Sequence, residues 1–346
     1  MKHNHGHIVT RRPRVQQSAS RRGLMVALVA ACTVLSTALL PVGQARADSY
    51  PSKPVTMIVP YPAGGATDVV ARAIAEKLTG TWKQSVIVEN RAGAGTTIGA
   101  GTVARAAGDG YTLFMTTSAH TISGHIYDKL NYDPVKDFAP ITLVTKVPLV
   151  LVVNPAVPAK TLPEFLAYLK KDGASVNFAS PGNGTAQHLS GELFKIATKS
   201  AITHVPYRGD APAFTDLVGG QVQMMLATIT SALPLIHAGK LRALAVANGK
   251  RVQALADVPT FAEAGMPGFE AATWFGLLAP ASMKPELQQR IYKDVSAIVA
   301  TPEMQRRIED LGGDVVNSTP EAFAAFMQEE TAKWGKAVKA SGMAPQ

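Results

Sequence analysis

From residue 55 to residue 247 the chain alternates short apolar runs, rich in β-branched residues, with stretches of helical periodicity. The runs at 55–61, 85–88, 111–117, 176–179, 202–206, 222–227 and 241–247 read as strands, and 141–153 as a longer extended segment. Helical patterns fill 67–79, 96–107, 162–170, 185–198, 211–218 and 232–238, and the tail from residue 285 is mostly helical. Strands that are apolar along their whole length and separated by helices bury both faces, which predicts an α/β fold with parallel sheets covered on each side.

One sheet does not hold all of these strands together with a helical tail. The extended segment near 145–148 and the Pro/Gly-rich stretch 258–279 are the two places where the chain can cross between lobes. The expected organisation is a discontinuous first lobe, 48–147 plus 272–346, and an inserted second lobe, 148–271. Two crossovers between α/β lobes make a hinge, and the cleft between them is the natural place for a small ligand.

The formal charge of +9 suggests a polyanionic partner until it is located. Residues 1–47 hold seven of the 34 basic residues and no acidic one, so 27 basic face 25 acidic residues in the remainder. A balanced body without basic clusters argues against nucleic acid. Those first 47 residues read as an export signal: Arg21-Arg22, an apolar run from Leu24 to Leu40, then Ala45-Arg46-Ala47 as the small-residue cleavage site. The alternative is a membrane anchor, against which stand the weak hydropathy of the run and the cleavage signal behind it. The arginine pair fits a twin-arginine route as well as general secretion. The expected location is the periplasm. Cys32, the one cysteine, lies in this leader, which leaves no thiol for a disulfide, a nucleophile or a metal site.

Four strand-to-helix turns are rich in Gly, Ser and Thr: 60–68, 93–99, 116–120 and 180–185. In open α/β sheets ligands sit beyond the strand ends, against the free N–H groups of the following helix, and glycine lets the backbone approach closely. This chemistry takes a carboxylate or a phosphate without a charged side chain. Asp68, in the first turn of a helix, would repel such an anion and is read as fixing its turn by hydrogen bonds. His120, His188 and His204 lack metal-ligand spacing, and no metal or cofactor is expected. Gly99–Ala104 formally matches a dinucleotide fingerprint but lies inside a predicted helix without the acid that should follow. No nucleophile elbow, phosphate loop or zinc-protease motif is present; Ser180 with His188 is the nearest approach to a hydrolytic pair.

Long stretches of the chain resemble the solute-binding proteins of tripartite tricarboxylate transporters, the Bug (TctC-like) family. They are VPYPAGGATD (59–68), VENRAGAGTTIGA (88–100), DGYTL (109–113), DFAPITLV (137–144), FASPGNGTAQHLSGELFK (178–195), HVPYRGDAPAFTDLVGGQV (204–222), GKLRALAV (239–246) and DVPTFAEAGMPGF (257–269). The resemblance implies a type II periplasmic-binding-protein fold that closes on a carboxylate. It also implies a monomeric receptor, without enzymatic activity, that delivers to a membrane permease of one large and one small subunit. A sensor subunit for an organic acid and a periplasmic hydrolase are the alternatives.

Carried over by motif, the first-lobe contacts are Tyr61, Pro62, Ala63, Gly64, Gly65 and Ala66, then Ala94, Gly95, Thr96 and Thr97, then Thr117, Ser118 and Ala119. The second lobe contributes Pro181, Gly182, Asn183, Gly184, Thr185, Ala186 and Gln187, with Tyr207, Arg208 and Gly209 near the wall and Thr228 behind them. Arg208 is the side chain placed to pair bidentately with a second carboxylate. Three departures stand out. Thr96-Thr97 replaces a common Gly-Asn, Ser123-Gly124 replaces Asn-Pro, and Leu226-Ala227-Thr228 lacks the acid that many members carry there. Without that acid a ligand amine loses a partner, so dicarboxylates, tricarboxylates or aromatic acids are favoured over amino acids. The tail around Trp334 either packs on the first lobe or forms a docking surface.

Overall fold

The computed structural model describes Met1, His3 and residues 50–172 and 175–342. The leader read at 1–47 lies outside the described residues apart from those two positions. Strands β1 (Val55–Val59), β2 (Val86–Asn90) and β3 (Thr112–Thr117) alternate with helices α1 (Ala66–Trp82) and α2 (Thr97–Ala104), a short 3-10 turn at Ala94–Thr96 leading into the second. Helix α3 (Ala119–Ile126) follows β3, and β4 (Phe138–Val153) is the long extended segment. Next come α4 (Leu162–Asp172), β5 (Asn177–Ser180), α5 (Ala186–Thr198), β6 (Thr203–Pro206), α6 (Asp210–Val218), β7 (Met224–Thr228), α7 (Ile229–His237) and β8 (Arg242–Val246). The chain ends with β9 (Ala272–Pro280), α8 (Pro285–Val299), α9 (Pro302–Asp310), β10 (Asp314–Val315) and α10 (Pro320–Ser341).

Contrary to the expectation that one sheet does not hold them, the ten strands among the described residues form one hydrogen-bonded sheet in the order β2-β1-β3-β9-β4-β7-β5-β6, with β8 and β10 also paired to β4, because β4 and β9 run through both halves. The expectation of parallel sheets holds only in part. Strands β2, β1 and β3 are mutually parallel, as are β7, β5 and β6. The two crossing strands run against them: β9 is antiparallel to β3 and β4, and β4 is antiparallel to β7 and β8. The reason lies in β4. Its first part pairs with β9 as far as Pro148↔Ala272, and from Leu149 onward its partners are β7 and β8. Flanked on both edges, Leu149 to Val153 are all fully buried. Alternate side chains enter different cores: Leu149, Leu151 and Val153 pack in one, Val150 and Val152 in the other.

The helical tail is punctuated by a repeated device. Thr301-Pro302-Glu303 and Thr319-Pro320-Glu321 each place a threonine cap, a proline at the first helical position and an acid in the first turn. Helix α10 then lies against the body: Trp334 is buried with Ile122, Ile126, Ala186, Leu189 and Val338. Where the expectation was packing on the first lobe or a docking surface, the structure shows Trp334 packed on residues of 48–147 and also, through Ala186 and Leu189, of 148–271. Among the described residues no helix is long and apolar enough to cross a membrane.

Candidate functional site

The turn between β1 and α1 is built around one carboxylate. Asp68 Oδ2 accepts from the Gly64 N–H at 3.0 Å and from Arg72 Nε at 2.9 Å, while Oδ1 accepts from Asn90 Nδ2 at 2.9 Å. Although burial opposes it, these donors hold the Asp68 carboxyl below the usual range. Asp68 is thus spent on fixing the turn, and Asn90 ties it to β2 by donating a second hydrogen bond to the Tyr61 carbonyl at 2.9 Å. The Tyr61 hydroxyl lies 3.0 Å from Thr117 Oγ1, which also accepts the Ala119 N–H at 3.2 Å. Burial pushes the Tyr61 phenol well up, so it stays protonated.

Two adjoining cavities open from this framework and share Tyr61, Pro62 and Pro181 in their walls. The inner one, about 20 Å³, is lined by Gly65, Ala66, Thr67, Thr117, Gln187, Asp210, Thr228, Thr273 and Phe275 besides these. The outer one, about 310 Å³, adds Pro60, the 92–96 turn, Tyr127, Gly182, Asn183, Pro206, Tyr207 and Arg208. The elements facing one another nearly touch across the inner cavity. The Ala66 N–H, at the start of α1, donates to Ser231 Oγ of α7 at 3.0 Å, and Ser231 donates to Asp210 Oδ2 at 2.7 Å.

Most motif-derived residues therefore line a cavity: Tyr61, Pro62, Gly65, Ala66, Ala94, Gly95, Thr96, Thr117, Pro181, Gly182, Asn183, Gln187, Tyr207, Arg208 and Thr228. Others stand behind these walls. Ala63 and Gly64 are exposed at the turn, and Thr97 Oγ1 donates to the Ala94 carbonyl at 2.8 Å. Ser118 Oγ is 2.9 Å from Thr273 Oγ1, and Ala119 and Ala186 are core residues. Thr185 caps α5, the Gly184 N–H donates to His188 Nδ1 at 3.2 Å, and Gly209 packs on Pro62.

Sequence reasoning missed Asp210, Tyr127, Thr273 and Phe275. Thr273 and Phe275 belong to β9, inside the Pro/Gly-rich stretch 258–279 read only as a crossing between lobes, and Tyr127 follows a helix whose Ser and Gly residues blurred its period. Asp210 lies in the quoted stretch 204–222, directly after Gly209, but the motif-derived contacts in it stop at Gly209; a charge opening a helix was its remaining signal. It changes one argument. The case against a ligand amine rested on the missing acid near position 227, yet Asp210 brings a carboxyl into the inner cavity from α6.

The hydrolytic pair is also rearranged. Ser180 Oγ bonds His204 Nε2 at 2.7 Å rather than His188, whose ring stacks on His204 with centroids 3.9 Å apart. Ser180 Oγ also accepts the Gly182 N–H at 3.2 Å, and it is buried. Burial pushes His188 and His204 down to about 4 and about 3, so both are neutral at pH 7. The cluster shapes the 180–185 loop. Among the described residues no group of acids, histidines or cysteines is arranged to hold a metal.

Thr96 sits in the outer wall with φ +87°, a left-handed conformation that a β-branched residue adopts only under strain. Its Oγ1 is buried and has no hydrogen-bond partner among the described residues. Thr96→Gly should relieve both penalties, at about 1–2 kcal/mol for the backbone and less the roughly 0.5–1 kcal/mol entropic cost of glycine. The expected net gain is about 1 kcal/mol, read as a higher urea midpoint of the ligand-free protein. An unchanged or lower midpoint would refute the strain.

The "Tripartite tricarboxylate transporter family receptor" model matches residues 70–343. Solved structures agree. The chain is 37% identical to the periplasmic binding protein BugD, with a TM-score of 0.82 over 86% of this chain and 100% of that one. An R. palustris protein solved with adipate is 34% identical, TM-score 0.84, over 86% of this chain and 100% of that one. MatC from Rhodopseudomonas palustris, with bound malate, is 36% identical, TM-score 0.79, over 84% of this chain and 100% of that one. Fold, glycine-rich strand ends and family model converge: the chain belongs to the receptor family of the tripartite tricarboxylate transporters, whose members are solute-binding proteins.

Proposed function

We propose that this chain is a monomeric periplasmic receptor that captures a small organic carboxylate and delivers it to a two-subunit membrane permease, without covalent chemistry. The observation that carries the reading is the pair of cavities walled by the turns that open α1, α2, α5 and α6. An outer cavity of about 310 Å³ suits a metabolite-sized acid. Backbone N–H groups at helix starts favour its negative charge by roughly 0.3–1 kcal/mol each. The relatives solved with adipate and malate support a carboxylate as the ligand class. In this reading the lobes are 48–147 plus 272–346 and 148–271, the hinge is the crossing pair β4 and β9, and the leader directs export by the twin-arginine or the general route.

The test is native mass spectrometry of the protein purified gently from the periplasm, followed by a thermal-shift screen of carboxylates. A retained acid released unaltered on denaturation, and stabilising the protein when added back, is the expected outcome. Silence across all carboxylates would refute the receptor, and a ligand released as two fragments would point to the hydrolase.

A further inference from the structure

The inner cavity is lined by an acid, Asp210, one of whose carboxylate oxygens has no hydrogen-bond partner among the described residues. Asp210 is the first residue of α6, and its two oxygens have different surroundings. Oδ2 accepts the Ser231 hydroxyl at 2.7 Å. Ser231 Oγ in turn accepts the Ala66 N–H at 3.0 Å and the Thr228 hydroxyl at 3.3 Å. A serine hydroxyl has one proton and two lone pairs, so all of its capacity is committed and its proton can go only to Asp210. This fixes Oδ2 as an acceptor. Oδ1 is buried and has no hydrogen-bond partner among the described residues, and the polar side chains that line the cavity beside Asp210 are hydroxyls and an amide.

A buried carboxylate oxygen without a donor is costly, and a binding site is where such a cost is recovered on occupancy. The start of α1, through Ala66, and the first-turn position on α6 both favour the ionised form. Burial pulls the other way and raises the carboxyl above its ordinary range, as expected of an anion without a counter-charge. The inner cavity, at about 20 Å³, admits one water-sized group and not a carbon chain. A hydroxyl or an ammonium is of that size, and the remainder of the ligand has the outer cavity beside it.

We infer that Asp210 Oδ1 is a specificity-determining acceptor for a hydrogen-bond donor on the ligand, so that this receptor takes hydroxy or amino acids in preference to unsubstituted carboxylates. The inference rests on the carboxylate-receptor reading and narrows it.

Matched series test it: succinate, malate and aspartate; glutarate, 2-hydroxyglutarate and glutamate; phenylacetate, mandelate and phenylglycine. Each is screened by thermal shift and then titrated calorimetrically against the native protein, Asp210→Asn and Asp210→Ser. In the native protein the substituted acid of a responding series should bind at least about tenfold tighter than its unsubstituted partner, as a charge-assisted hydrogen bond requires. Both variants should lose that preference. A response to the amino acids alone identifies an ammonium as the donor, and one to the hydroxy acids alone a hydroxyl. Equal binding of substituted and unsubstituted acids, or a preference that survives Asp210→Ser, overturns the inference while leaving the receptor intact. Failure of every acid to bind refutes the receptor reading, and the inference with it. The comparison within the native protein stands even if a variant does not fold.

Discussion

Glu330→Ala should destabilise the protein by about 3–5 kcal/mol, the largest stability loss expected of any single polar substitution discussed. Glu330 lies on α10, only 6% exposed, and one of its oxygens accepts two indoles: Trp274 Nε1 of β9 at 3.0 Å and Trp334 Nε1 at 2.7 Å. The other oxygen accepts Lys333 Nζ at 2.8 Å. Truncation leaves two buried N–H donors unsatisfied, at roughly 1–3 kcal/mol each. It also opens space beside two of the three tryptophans. The lysine contributes little, because its side chain is largely exposed and such pairs are worth about 0–1 kcal/mol. Glu330→Gln keeps a carbonyl oxygen for both indoles and should cost only about 1–2 kcal/mol, the difference between a charge-assisted and a neutral acceptor. Urea titration with an unchanged slope reads both. Equal losses for the two variants would show that charge, and not the indole bonds, is what the site requires.

What the sequence made legible follows from where the forces are local. Strand-to-helix turns such as 60–68 and 180–185 are written in glycine and proline, whose backbone limits act on the residue itself. The caps Thr185, Thr301 and Thr319 are local in the same sense. β9 was not legible. Its residues, Ala272 to Pro280, lie at the end of the Pro/Gly-rich stretch 258–279 and are fixed by pairing with β3 and β4, partners distant in sequence. The direction of β4 was hidden for a related reason: continuous apolar character reports burial on both faces, and antiparallel partners on both edges bury a strand just as parallel ones do. At the site, the glycine-rich turns were legible, and the residues brought there by tertiary geometry were not, even where, as with Asp210, they lie beside a quoted motif residue. Asp210 reads as an ordinary acid opening a helix until α7 places Ser231 against it and α1 closes over it. The pairing of Ser180 with His204 in place of His188 has the same origin, since β6 lies beside β5 and brings His204 into register with Phe178.

The largest functional effect is expected from Gly95→Ala, which should weaken ligand binding by about a hundredfold or more while leaving the fold intact. Gly95 has φ +57° and lies in the outer cavity wall opposite the 180–185 loop. A β-carbon there would stand 2.8 Å from the Asn183 carbonyl oxygen and would also meet the Tyr127 hydroxyl. A tyrosine ring can turn aside. The Asn183 carbonyl follows Gly182, whose N–H and carbonyl the Ser180 and Thr185 hydroxyls hold, so it yields less freely and the methyl group acts as a wedge between the two walls. If the lobes close by bringing Gly95 against Asn183, Pro62 against Gly209 and Ala66 against Ser231, the wedge opposes only the closed form. About 3 kcal/mol of steric opposition then lowers affinity roughly a hundredfold. Left-handed backbone strain for alanine, about 1 kcal/mol, lowers stability by a similar small amount in either form. Gly64→Ala is the control. Gly64 has φ +86° with no atom within 4 Å of a β-carbon, so it introduces the strain without the wedge. Calorimetry with the acid retained by the native protein should find Gly64→Ala within about threefold of native affinity. Small-angle scattering should show the native protein contracting on ligand addition and Gly95→Ala failing to contract. Equal affinity losses in the two variants would assign the effect to the backbone, and native affinity in Gly95→Ala would mean that the ligand is bound without this approach of the two walls.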